Sequence, residues 1–146
     1  MPSLKAQNAQ TPKSMRVDGT AVFITGKYVA AAAPVAGDTI DFLLPAGSFL
    51  CDLSFVLDDA DSGIAFLFGV GYRPVDPASG LVANPTYFAA AGQATGQAGG
   101  RLECIFKPIQ FDTDVFVQLL VGVAPAGIVG NPEIHMIAGI NQVGPK

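Results

Sequence analysis

The side chains best placed for chemistry in this chain are carboxylates. The densest group is DDADSG at residues 58–63, where Asp58, Asp59 and Asp61 precede Ser62 and Gly63. Carboxylates at alternate positions followed by glycine are how a calcium loop wraps oxygen ligands around its ion. Counted from Asp59, however, the glycine falls at the fifth place of the loop and Val70 stands at the twelfth. An EF-hand needs glycine at the sixth and a bidentate glutamate at the twelfth. The stretch reads instead as a turn. Asp and Ser side chains accept from nearby backbone N–H groups, and the following Gly tolerates a positive φ. Its place between Leu57 and Ile64, the ends of two alternating apolar runs, predicts a hairpin reversal. On this reading, exchanging the aspartates alters stability little and removes no calcium affinity.

Other reactive groups are sparse. His135 is the sole histidine, too few for a multi-histidine metal site, and is expected to be partly exposed or at a subunit contact. Cys51 and Cys104 lie in apolar contexts (FLCDL and LECIF), which favours two buried thiols over a disulfide. Ser62 lacks the G-x-S-x-G elbow of a hydrolase. Glu103 and Glu133 are the only glutamates, and nothing pairs two carboxylates as a glycosidase requires. GVGYRP and GQATGQAGG have glycines but neither the strand–loop–helix context nor the lysine of a phosphate loop. The chain is therefore expected to be no enzyme, with no cofactor and no metal.

The positions around these groups set the class. A chain of 146 residues has the length of one domain. It is 50% apolar and 14% charged, with mean hydropathy +0.43, so some apolar surface is expected to meet another protein. Asp38, Asp41 and Asp52 break up the apolar runs, and no stretch reaches the ~18–20 apolar residues of a membrane span. MPSLKAQNAQTPKSMRVDG contains no apolar block of the signal-peptide kind. A net charge of −4 argues against general nucleic-acid binding. Lys5, Lys13 and Arg16 nevertheless leave residues 1–18 net positive against a more acidic remainder. Rich in Gln, Asn, Ser and Lys and without period 2 or 3.6, residues 1–18 read as an extended arm attached to a domain at 19–146.

From residue 20 onward the period is two. GIAFLFGVGY places Ile64, Phe66, Phe68, Val70 and Tyr72 on one face, and SFLCDLSFVL does the same with Phe49, Cys51, Leu53, Phe55 and Leu57. TDVFVQLLVGV and PEIHMIAGI alternate likewise; with AVFITGKYV, DTIDFLL and RLECIFKPI they make about seven strands. NPTYFAAAGQATGQAGG, residues 84–100, breaks the pattern and reads as a long crossover loop with one helical turn near Tyr87–Ala91. Many short strands, one crossover and no long helix predict an all-β, antiparallel β-sandwich of the jelly-roll or Greek-key kind.

GDTIDFLLPAGSFLCDLSFVLDDADSG at 37–63, then FLFGVGYRPVDP, NPTYFAAAGQATGQAGG, TDVFVQLLVGVAPAG and IHMIAGI together resemble the head decoration (cement) proteins of tailed bacteriophages. The likeness covers about residues 37–140 and lies in order: a strand ending in PAG, a strand running into an acidic turn, a strand ending in Gly-Tyr, an aromatic-alanine loop, and two closing strands. The glycine-rich loop at 92–100 and the arm are departures from it. The resemblance implies a jelly-roll protein on the outer surface of an icosahedral capsid, made in the host cytoplasm, that bridges neighbouring major capsid subunits after shell expansion. The implied partners are the major capsid protein of the same phage and further copies of this chain, a dimer ahead of a trimer, with no nucleic acid and no membrane. A carbohydrate- or receptor-binding module of a phage particle is the alternative, although such sites favour exposed aromatic platforms and this chain has no Trp and three Tyr.

For a cement protein the functional residues form an interface. Candidates are Leu4, Lys5, Lys13 and Arg16 in the arm, and Tyr87 and Phe88 in the crossover, because aromatics and arginine dominate interface energetics. Tyr87 and Phe88 have a second reading, as a plug for the open end of the sandwich.

Overall fold

Period-two alternation becomes strand throughout the body. The computed structural model describes residues 3–5 and 21–142. Its strands are β1 (Ser3–Lys5), β2 (Ala21–Val29), β3 (Thr39–Leu44), β4 (Ser48–Leu57), β5 (Leu67–Pro74), β6 (Asn84–Gln93), β7 (Gly100–Glu103), β8 (Ile109–Phe111), β9 (Val115–Val123) and β10 (Glu133–Gln142). One sheet has the order β1-β3-β9-β5-β6 and the other β2-β10-β4-β7, with β8 also paired to β4. Apart from the short parallel pair of β1 with β3, every pairing is antiparallel. Apart from β5–β6 and β7–β8, which stay within one sheet, successive strands cross between the sheets, so that β2, β10, β4 and β7 face β3, β9, β5 and β6. That is the jelly roll expected from the sequence.

Between the sheets lies one core. Ile40, Phe42 and Leu44 of β3, Phe68 and Val70 of β5 and Val117, Leu119 and Val121 of β9 meet Leu53, Phe55 and Leu57 of β4 and Ile134, Met136 and Ile140 of β10, all buried. The Phe42 and Phe55 rings touch across the gap at a centroid distance of 5.7 Å. Burying each such side chain stabilises the fold by about 1.5–3 kcal/mol relative to leaving it in water. At the far end from the loops described below, Tyr72, Tyr87, Phe88, Phe106 and Phe111 form a continuous aromatic cluster with neighbouring centroids 4.8–6.3 Å apart.

Four local readings of the sequence are corrected. β4 does not alternate evenly: its register with β10 shifts between Gly139 and Ile140, so that Asp52 opposes Gly139 while Leu50 opposes Ile140. Cys51 is the extra residue of this bulge, which turns Leu50 into the core and leaves Cys51 exposed and not buried. β5 starts at Leu67, and Ile64 belongs to the preceding connection with 86% exposure. RLECIFKPI is split into β7 and β8, separated by a segment that contains Pro108 and both pairing with β4. Residues 84–93 are strand and not a loop with a helical turn, because pairing with β5 overrides the local helix preference of the alanines.

The pairing of β5 with β6 is far from regular. Phe68, Val70 and Tyr72 oppose Gln93, Ala89 and Asn84, so β6 spends more residues than β5 on the same length of edge and bulges over the sheet. Gly69 and Gly71 are what allow this. A Cβ on Gly71 would overlap the Asn84 carbonyl oxygen and the Pro85 backbone, and one on Gly69 would lie 3.2 Å from the Ala91 Cα. The glycines of GVGYRP thus serve close backbone approach. Gly71→Ala is expected to destabilise the protein by about 3 kcal/mol, since the clash is with backbone that cannot rotate away. Urea unfolding measures it, with Gly122→Ala, where a Cβ would meet only the Leu67 carbonyl oxygen at 3.6 Å, as the control for chain effects.

Candidate functional site

Four connections meet at one end of the sandwich: 30–38 between β2 and β3, 58–66 between β4 and β5, 94–99 between β6 and β7, and 124–132 between β9 and β10. Backbone bonds tie them to one another. Ala60 N–H donates to the Gly96 carbonyl at 2.9 Å, Ser62 N–H to the Gly127 carbonyl at 2.9 Å, and Ala30 N–H to the Pro132 carbonyl at 3.0 Å. The DDADSG stretch therefore is not a hairpin turn. It carries the chain from one sheet to the other.

Asp61 is the centre of this end. Its side chain is buried, and its carboxylate accepts four backbone N–H groups from two different connections. Oδ1 accepts from Gly63 at 2.9 Å and Ala126 at 2.8 Å, and Oδ2 from Ala65 and Phe66 at 2.7 Å each. Burial pushes its pKa upward, but the N–H groups of Gly63, Phe66, Ala126 and Ala65 together outweigh burial and hold the carboxyl below its usual range. With four donor hydrogens aimed at it, this carboxylate faces positive dipoles where a calcium ion would have to sit. The neighbouring aspartates do similar work. Asp59 Oδ1 accepts the Asp61 N–H at 3.2 Å, and Asp58 Oδ2 accepts the Glu133 N–H at 2.9 Å. The expectation that exchanging any of these aspartates is nearly neutral is thus corrected for Asp61, which has no substitute acceptor for four N–H groups.

On this frame stands an apolar surface. Val35, Ile64 and Val129 are 57%, 86% and 71% exposed, and Ala31, Ala32, Ala33 and Ala36 are exposed beside Val35. None of the four connections contains a lysine or arginine. Beneath the surface, Tyr28, Pro34, Phe66, Ile128 and Ile134 close around a gap of ≈ 10 Å³, room for a single water at most. Among the described residues of the four connections, Val35, Ile64 and Val129 are the large apolar side chains that stay exposed. Period-two analysis passes over these residues because they have no strand face. The available signal is an isolated Val or Ile within a Pro-Gly-Ala turn.

The residues singled out in the sequence fall elsewhere. Leu4 and Lys5 belong to β1, where they pair in register with Ile40 and Asp41 at the edge of the chain's own sheet. Lys13 and Arg16 lie outside the described residues. Phe88 is 1% exposed and packs on Phe106 at 4.8 Å, so it is a core residue and not a surface anchor; the plug reading is the one its burial fits. Tyr87 is half-buried, and its hydroxyl donates to the Lys107 carbonyl at 2.9 Å. His135 is half-exposed on the outer face of the second sheet, 3.1 Å from Glu133 Oε1. Burial, reinforced by Asp52, pushes the Cys104 thiol up to about 12, so it stays protonated at neutral pH.

Two solved structures share this architecture. The chain aligns with a chain from the capsid of Ralstonia phage GP4 at TM-score 0.65 and 21% identity, covering 95% of this chain and 97% of that one. It aligns with a chain from the capsid asymmetric unit of cyanophage Pam1 at TM-score 0.59 and 11% identity, covering 91% and 94%. At these identities the likeness establishes a shared fold. No protein-family model matches the chain, and no curated protein matches it.

The Asp61 network is testable through its proton linkage. A carboxyl held below its ordinary range favours the folded state wherever pH exceeds its unfolded-chain pKa near ~4, and that contribution fades as pH falls through the folded value. Asp61→Asn is expected to lower the Tm by several degrees at pH 7, with the gap from the wild type closing as pH falls below ~4. Thermal unfolding from pH 2.5 to 8 checks this. A gap of equal size at both ends of the range would show that charge is not what the N–H groups recognise.

Proposed function

We propose that this chain is a structural virion protein that binds the outside of an icosahedral phage capsid and cements neighbouring major capsid subunits, acting as a homo-oligomer with a dimer favoured. The observation that carries the reading is the end-to-end fold likeness to chains taken from two phage capsids.

The loop end supports the same reading. Its exposed Val35, Ile64 and Val129, on connections without Lys or Arg and backed by a bonded frame, form a ready surface for a protein partner. A preorganised patch orders little on binding, so its apolar area converts to affinity with small entropic loss. The positive residues of the 1–18 stretch give a second contact, with an acidic partner, and contacts that are weak singly become strong when many copies act together.

The deciding measurement is the stoichiometry of the chain on purified virions, expected to be fixed relative to the major capsid protein. A soluble, non-virion protein in infected cells would overturn the reading. With recombinant protein and capsids lacking it, the double variant Ile64→Asp with Val129→Asp is expected to bind at least ~10-fold more weakly at unchanged Tm, as loss of buried apolar anchors predicts. Deleting residues 1–18 removes the β1 edge strand but none of the core strands, and is expected to weaken capsid binding while leaving a folded body. Unchanged binding in both variants would place the contact elsewhere.

A further inference from the structure

A β-sandwich has four sheet edges, and exposed edges invite pairing with other chains unless something blunts them. Three edges here are blunted. β1, β7 and β8 are 3, 4 and 3 residues long, and β6 carries Pro85 and breaks register repeatedly. The fourth edge is different. β2 runs nine residues without proline or bulge, pairs along its whole length with β10 on one side, and has no strand on the other side among the described residues. Lys27 is its only charged residue, and Phe23, beside Gly139, is 71% exposed.

We infer that β2 is the site at which two copies of this chain pair, antiparallel and two-fold symmetric, joining their four-stranded sheets into one. The backbone decides which residues can pair. Ala30 N–H donates to the Pro132 carbonyl at 3.0 Å, so even-numbered residues of β2 direct their backbone groups toward β10. Odd-numbered residues therefore turn theirs to the free side. An isologous antiparallel pair must match odd with odd, and the register that uses the whole strand centres on Thr25. Thr25 then faces Thr25 of the second copy, Phe23 faces Lys27, and Ala21 faces Val29. This satisfies the free N–H and C=O groups of the edge and sets each Lys27 ammonium against an exposed Phe23 ring, a favourable cation–π pairing. No like charges meet. A register centred at Phe23 or Lys27 would strand part of the edge and set either two phenylalanines or two lysines directly opposite each other.

This gives the proposed homo-oligomer its surface, but the test uses purified protein without capsids, so it succeeds or fails independently of virion binding. Analytical ultracentrifugation is expected to give a dimer mass for the wild type. Thr25→Pro removes an outward N–H at an edge where proline is otherwise tolerated, and is expected to give a folded monomer. In a Cys51→Ser background, Thr25→Cys is expected to yield a disulfide-linked dimer on mild oxidation while Phe23→Cys stays unlinked, because only residue 25 faces itself. A monomeric wild type, a folded Thr25→Pro that remains a dimer, or linkage through residue 23 in preference to 25 would each overturn the inference.

Discussion

A single buried carboxylate organises the end of the molecule that carries its apolar surface. Four connections converge there, built largely from alanine, glycine and proline, which have little side chain to pack. Their N–H groups must be satisfied or stay in water. Asp61 gathers four of them and bonds its own connection to that between β9 and β10. Both connections cross from one sheet to the other, so the carboxylate also holds the two layers at a fixed spacing. Ile64 and Val129 lie close in sequence to the groups it binds. Their place at the surface follows from that bonding and not from packing of their own.

The opposite sheet uses a different polar device to the same end. Asp41 has no exposed side-chain area, and Arg73 reaches it at 2.6 Å from two strands away while lying 4.7 Å above the Phe116 ring. Buried ion pairs add little net stability, because desolvation offsets attraction. They are intolerant of misplacement, however, and a slip of one residue would turn Arg73 or Asp41 into the core. The pair therefore specifies the alignment of β3, β9 and β5. Gly69 and Gly71 then let β6 close over β5, and the aromatic cluster around Tyr72 and Phe88 seals the end away from the loops.

How far the fold was legible follows from what each signal measures. Alternation reports that one face of a segment is buried. AVFITGKYV accordingly matches β2 residue for residue, and DTIDFLL exceeds β3 only by Asp38. Alternation does not report which strand lies alongside, and DDADSG was read as a hairpin because the strands before and after it alternate equally well in one sheet or in two. The clue lay in connection length, since 58–66 is longer than tight hairpins require. The bulge at Cys51 was invisible because both residue 50 and residue 51 are apolar enough for the core. In residues 84–93, weak side chains conceal a strand whose position is set by the glycines of its neighbour. The interface residues were the least legible, because the expected contacts rested on residue type alone. Exposure depends on what folds over a residue, which is why Phe88 went inside and Ile64 came out.

The two surfaces constrain each other geometrically. β2 ends at Val29, where the 30–38 connection enters the loop end, so the strand edge points along the axis on which that end lies. Antiparallel pairing about Thr25 would direct the loop ends of two copies in opposite directions, separated by at least the ~30 Å length of a nine-residue strand. Each copy would then meet a different neighbour. A parallel arrangement lacks this property. Bridging requires a rigid body with binding surfaces far apart, because a flexible link would allow both ends to occupy the same subunit. On the proposed capsid-binding role, a sheet continuous through the pair would supply that stiffness and make the second contact effectively intramolecular, so that modest apolar patches would hold by number and not by individual affinity.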